Sequence, residues 1–369
     1  MLGSSRVGFY KNKPDVKRVA PLPDTFVVGA SSTSPYIHAY EWRGPSGFGP
    51  KYSNPASIVN IGHGRECAVS PDSTVAVVGG DNTPYIAAYQ IDPVTGFGNT
   101  YSNPATLPNG QCYALAFNRA GNAIAYGQVP TGSPTNAKSL IVYRWNNTTG
   151  FGTLYTTSAF LPSSSTVTDV DFARDDSAIV MTSGASPYVR GIAWDNTTGF
   201  GTVKAGPATV PSNQTYKIRF NNANNVVGVC SIVSPYVFMY AWSASGFGTK
   251  FADSATLSAG ANAIDFTLND DALIIGQNSS PYISSYRWNN STGFGVRWAN
   301  PTTIPSHATE NLKVSPDGKQ VVLASNNGGL GGYKLDTSSN DTSHKALAYA
   351  FTNPASIGFV NDVDFGKKI

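Results

Sequence analysis

The tripeptide Gly-Phe-Gly occurs six times, centred on Phe48, Phe97, Phe151, Phe200, Phe247 and Phe294. Successive phenylalanines are 49, 54, 49, 47 and 47 residues apart. A recurrence this regular means one supersecondary unit copied along the chain, and such units stack into one continuous body. The repeat therefore overrides the two or three domains that 369 residues would otherwise suggest.

The second copy shows what the unit is. Residues 65–71 (RECAVSP) read as a short strand a, and TVAVVGG (74–80) as a buried strand b. YIAAYQI (85–91) reads as strand c, the turn DPVTGFG follows, and NTYSNPA (99–105) reads as strand d. Counting equivalents along the chain gives seven b strands, from TFVVGA (25–30) to QVVLAS (320–325). Seven c strands match them, from YIHAYEW (36–42) to GLGGYKL (329–335). The strands alternate only weakly, as expected for small sheets covered on both faces by neighbours. Only 13% of residues are charged, and helical periodicity is nearly absent. The expected fold is all-β: a seven-bladed β-propeller of four-stranded antiparallel blades.

The two ends bear on closure. The first unit begins at strand b, preceded only by the weak VKRVAP. The chain ends with one extra strand a, NDVDF (361–365), which matches TDVDF (168–172) and NAIDF (262–266). The economical reading is that this segment supplies the inner strand of blade 1 and closes the ring, leaving no open seam. The rival reading fills that slot with residues 16–21. The organisation is then an arm, 1–24, and a propeller, 25–369. The arm carries Arg6, Lys11, Lys13, Lys17 and Arg18 against Asp15 and Asp24, so it is either a solvated tail or strap, or a docking arm.

Several residues recur at one phase. The TGFG turn closes the c–d hairpin, with glycine allowing positive φ and phenylalanine pinning the turn. Strand c ends in Trp42, Trp145, Trp194, Trp242 and Trp288, which reads as packing between blades. Near the end of strand a, successive blades carry Ala68, Ala116, Asp171, Arg219, Asp265, Lys313 and Asp364. The signs alternate from Asp171 through Arg219, Asp265 and Lys313 to Asp364. An ion-pair chain around part of the channel is expected; the alternative makes the three aspartates metal ligands or an acid–base set. The loop before strand c is Ser/Thr-Pro-Tyr in five blades, ending at Tyr36, Tyr85, Tyr188, Tyr236 and Tyr282. These tyrosines either cap blade cores or, with His63 and His307 in d–a segments, form a binding face. Insertions at 129–139 and 336–344 should emerge on opposite faces.

Other chemistry is missing from the pattern. The four histidines show no ligand spacing with Cys or Asp, and no phosphate loop, dinucleotide fingerprint or nucleophile elbow is present. No metal or cofactor is expected. Cys67, Cys112 and Cys230 are far apart, and Cys67 and Cys230 sit in apolar strand patterns, which suits buried thiols. Net charge is +3 without a basic run, so no nucleic-acid partner is expected. No stretch approaches a membrane span, and the first 24 residues carry no secretory pattern, so synthesis and folding in a cytoplasm are expected. Asn147, Asn196 and Asn290 lie in c–d turns, where they read as turn formers.

The run from Ser70-Pro71-Asp72 through strands b and c to the Gly-Phe-Gly phrase resembles seven-bladed WD-repeat and YVTN-type propellers, as does VSPDG at 314–318. It departs from WD repeats in lacking the Gly-His pair at each d–a turn and, except at Trp194-Asp195, the Trp-Asp dipeptide. The phrase GFGxxYxNPATLP at 96–108, with variants at 47–57 and 293–305, looks like propeller proteins of tailed bacteriophages. That resemblance implies a non-enzymatic virion component of tail, neck or head surface, docking other virion proteins, possible contacts including a host-surface glycan or protein. The alternative carried beside it is a glycan-binding, lectin-like propeller. A lactonase-like enzyme is the third reading, and it needs a clustered His, Glu, Arg or metal set in the channel that the sequence does not display.

Overall fold

The computed structural model describes residues 25–367 apart from 131–137, 157–164, 255, 258 and 355–358. The N-terminal arm and most of the 129–139 insertion therefore lie outside the described residues. Seven four-stranded antiparallel sheets follow one another around a ring. Each runs from an inner strand a to an outer strand d; in blade 4 these are Val167–Phe172, Ala178–Ser183, Val189–Asp195 and Gly199–Val203. Strand b is wholly buried in blades 2, 4, 5, 6 and 7, on both faces, which explains its lack of alternation.

Closure is made by the C-terminus. Val360–Lys367 pairs antiparallel with Thr25–Ser31, placing Val28 opposite Asp364 and Val27 opposite Phe365. Blade 1 is thus built from the two ends of the chain. Val360 and Val363 are fully buried there, in a core shared with Val27, Tyr40, Trp42 and blade 7 residues Val322, Ala324 and Leu330.

The Gly-Phe-Gly phrase differs in one respect from its sequence reading. It is not the turn but the start of strand d, which in blade 2 spans Gly96–Thr100 and ends before Tyr101. The first glycine leaves the turn with φ +82°, and Phe97 pairs with Ile91 of strand c. Tyr101 is thereby released to cover the next blade. There its ring meets Trp145 edge-on at 5.0 Å, and its hydroxyl donates to the Asn147 carbonyl at 2.6 Å.

Four of the five recurring tryptophans sit in the same three-ring aromatic cage; Trp242 has Phe220 and Phe247 but no ring from the preceding blade. Trp194 touches Phe200 of its own strand d at 5.3 Å, Phe172 of strand a at 5.5 Å and Tyr155 of the preceding blade at 4.7 Å. Trp42 repeats this with Phe48, Phe365 and Phe351, so the cage also spans the closure seam. Edge-to-face contacts of this kind add about 0.5–1.5 kcal/mol each beyond area burial. The glycine is required by the same packing: a Cβ on Gly199 would stand 2.7 Å from the Tyr155 ring, at φ +89°.

Candidate functional site

Inner strands carry the polar chemistry of the ring. Asp169, Asp171, Asp265, Asp362 and Asp364 each accept an N–H from the inner strand of the following blade. The donors are Ile218, Phe220, Val314, Cys67 and Val69, at 2.8–2.9 Å. Strand a has no further neighbour in its own sheet, so these carboxylates satisfy backbone donors that would otherwise be orphaned.

The channel is closed at mid-height. Lys217 of blade 5 reaches across the axis to Glu66 of blade 2, with Nζ at 2.7 and 2.9 Å from the two carboxylate oxygens. Asp169 lies 3.8 Å from the same ammonium and accepts from Arg219 Nη1 at 2.5 Å. Asn311 donates to Asp362 in the same layer. Burial works against the Lys217 charge, but Glu66, Asp169 and Asp362 more than offset it and raise its pKa. Arg219 is held charged in the same way, chiefly by Asp169. Burial pushes the Glu66 carboxyl up, with Lys217 opposing.

This layer divides the channel into two cavities. The larger, about 420 Å³, opens towards the a–b turns. Asp171, Asp265, Asp364, Arg119, Lys313 and Arg219 face it. Lys313 Nζ lies 3.9 Å from Asp364 Oδ1, and Arg119 Nη2 lies 3.5 Å from Asp171 Oδ1. Burial raises the pKa of both Asp265 and Asp364, against the opposing charge of Lys313. Arg219 Nε is buried with no hydrogen-bond partner. The smaller cavity, about 230 Å³, lies at the opposite mouth among the starts of the inner strands.

Of the expected ion-pair residues, the structure brings Lys313 and Asp364 together. Arg219 instead bonds Asp169, two positions before Asp171 on the same strand. Asp169, Lys217, Glu66 and Asp362 escaped the sequence reading because only one position per inner strand was followed. A second inward position, two residues earlier, was the available signal. Among the described residues no group of three or more His, Cys, Asp or Glu is placed to hold a metal. The three cysteines are buried and free.

The tyrosines stand elsewhere. Tyr36, Tyr85, Tyr188, Tyr236 and Tyr282 follow cis prolines with φ between +63° and +69°, and all five are half-buried. Tyr36, Tyr85 and Tyr236 pack on blade cores, and the Tyr36 hydroxyl donates to Asn60 at 3.0 Å. None of the five lines either cavity. His63 Nδ1 lies 3.1 Å from Asp81, and exposed His307 lies 2.8 Å from the Ser306 hydroxyl. Among the described residues no helix is long and apolar enough to cross a membrane.

No protein-family model matches the chain, and no curated protein matches it in sequence. Among solved structures it is similar to the periplasmic gluconolactonase of Pseudomonas aeruginosa, with TM-score 0.69 and 14% identity over 92% of this chain and 99% of that one. A candidate 6-phosphogluconolactonase of Bacteroides fragilis gives TM-score 0.71 and 10% identity over 93% and 98%. A second, from Bacteroides uniformis, gives 0.69 and 12% over 93% and 99%. The shared feature is the seven-bladed ring. At these identities the likeness is one of fold.

These findings correct the functional expectation. The resemblance carried by the Gly-Phe-Gly phrase implies a non-enzymatic virion component, with a lectin-like adhesin as its alternative. Three of the solved structures similar to this chain over nearly its whole length are named as lactonases, and no family model ties the phrase to bacteriophages. Neither the virion role nor the exclusion of an enzyme stands. The phrase recurs for a packing reason: in six blades its phenylalanine packs on the residue that ends strand c, a tryptophan in five of them.

Proposed function

We propose that the protein is a hydrolase that opens a small, uncharged, hydroxyl-rich cyclic ester in the a–b cavity. The observation that carries this reading is the placement of Asp265 and Asp364 on the inner strands either side of Lys313, in a cavity that Arg219 also lines. Burial raises the pKa of both carboxyls, against the opposing charge of Lys313, which makes each a stronger base than a solvated aspartate. The ammonium of Lys313 supplies a donor for a developing oxyanion, and the Arg219 guanidinium adds positive charge in the cavity wall. The lactonase names borne by proteins of the same fold support the reading by analogy.

The chemistry balances without an added group. Asp364 takes a proton from water as the hydroxide oxygen bonds to the ester carbonyl carbon. The carbonyl oxygen becomes an oxyanion facing Lys313. The C–O bond of the ring then breaks, the leaving oxygen receives the proton from Asp364, and a hydroxy acid results. Lactone and water are the only reactants. Five carboxylates, Glu66, Asp171, Asp265, Asp362 and Asp364, and four cations, Arg119, Arg174, Arg219 and Lys313, line the cavity. Arg174 directs its N–H groups to the Asn221 and Phe220 carbonyls, and the lining as a whole carries no excess of positive charge for a phosphate. An uncharged lactone suits this balance better than a phosphorylated one.

The test is ring opening of δ-gluconolactone followed by pH-stat, with spontaneous hydrolysis subtracted. Wild type should turn over, and Asp364→Asn and Lys313→Met should each lose at least tenfold in kcat. A wild-type rate equal to the spontaneous one would refute the reading.

A further inference from the structure

The cavity at the opposite mouth is not used by the proposed hydrolysis, from which it is sealed by the Lys217–Glu66 layer. Tyr113, Gln214, Tyr216, Asn262, Glu310 and Asn361 contribute to its wall. Its cations are already committed. Lys217 is bound by Glu66 and Asp169. Arg65 pairs with Asp81 and lays its guanidinium carbon 5.0 Å over the Tyr113 ring. Glu310 is half-buried and joins no ion pair within 4 Å among the described residues; the Asn326 side chain and the more distant Lys217 charge offset its burial only in part, and its pKa stays raised. A carboxylate so placed pays a desolvation cost that an incoming cation would relieve.

The walls suit such a cation. Tyrosine rings attract ammonium and guanidinium groups through their π faces, and Arg65 over Tyr113 is an internal instance in this very cavity. The amides of Gln214 and Asn262 offer carbonyl acceptors for the remaining N–H groups. The closed floor limits the depth of entry, and about 230 Å³ admits a small molecule or a single side-chain tip. We propose that this mouth is a second binding site, for a small organic cation bearing a primary ammonium or guanidinium group, held by Glu310 between Tyr113 and Tyr216.

Three probes of different charge test this by calorimetric titration at pH 8: agmatine, a dication; n-pentanol, neutral; and butyrate, an anion. Agmatine should bind, with pentanol and butyrate at least tenfold weaker. Glu310→Gln, near-isosteric and half-buried, should weaken agmatine at least tenfold with an unchanged Tm, and Tyr216→Ala should weaken it severalfold. Asp364→Asn in the other cavity should leave agmatine binding unchanged, whether or not that variant hydrolyses lactones. Equal binding of agmatine and pentanol, no agmatine binding at millimolar concentration, or full affinity in Glu310→Gln would each overturn the proposal. If Glu310→Gln fails to fold, ligand-detected contacts of agmatine with Tyr113 and Tyr216 in the wild type decide instead, and their absence overturns it.

Discussion

Replacing Lys217 by methionine probes the layer that closes the channel. Its Nζ lies 2.7 Å from Glu66, which at an effective dielectric near 20 corresponds to an attraction of roughly 6 kcal/mol before desolvation is subtracted. Removing one partner of a buried pair leaves the other charge uncompensated, at a cost of about 3–5 kcal/mol. Lys217→Met strands Glu66 and weakens the setting of Asp169, so the upper part of that range is expected. Glu66→Gln leaves Lys217 with Asp169 at 3.8 Å and should cost about 1–3 kcal/mol. The double variant removes both charges together and should recover about 2–3 kcal/mol relative to the sum. Urea unfolding of the four proteins at pH 7 measures this coupling directly. The pH dependence gives a second reading. The folded-state pKa of Lys217 is raised above its ordinary 10.5, so its stabilisation is complete below that value. It is lost as pH climbs through the alkaline range above it, a slope that Lys217→Met should remove. Additivity within about 0.5 kcal/mol would refute a contact across the axis.

Three further outcomes are expected. Gly150→Ala should destabilise by at least about 1 kcal/mol in thermal unfolding, because φ is +81° and the new Cβ would stand 3.1 Å from the Tyr101 ring of the preceding blade. His38 is buried in blade 1 with neither ring nitrogen partnered, and burial lowers its pKa to about 4. The folded state therefore binds fewer protons than the unfolded one between about 6.5 and 4, and stability falls as pH drops through that window, by about 2–3 kcal/mol; His38→Phe should flatten the loss in pH-dependent unfolding. Deleting residues 360–369 should abolish cooperative unfolding, because it uncovers strand Thr25–Ser31 and removes Val360 and Val363, each worth about 1.5–3 kcal/mol, from the seam core.

The architecture was legible because a propeller repeats its packing problem in every blade. Gly-Phe-Gly, the terminal tryptophan of strand c and the NDVDF echo of earlier inner strands suffice for blade number and closure. The boundary of strand d was not legible, since whether glycine ends a turn or begins a strand depends on Tyr101 reaching Trp145 in the next blade. The turn asparagines hid a similar role: Asn147, Asn196 and Asn290 accept the indole N–H of Trp145, Trp194 and Trp288 at 2.6–2.8 Å. The channel was half legible. Alternating charge at one position of strand a marked Lys313 and Asp364. Lys217 and Glu66 are 151 residues apart and meet only because blades 2 and 5 face each other across the ring. Local pattern carries no information on such a pair.

The most direct measurement of where chemistry occurs is a crystal structure of the protein soaked with gluconate, the ring-opened product of gluconolactone. Density for gluconate between Lys313 and Asp364, on the a–b side of the Lys217–Glu66 layer, is the expected result. An empty a–b cavity with gluconate bound at the other mouth would contradict the assignment of the hydrolytic site.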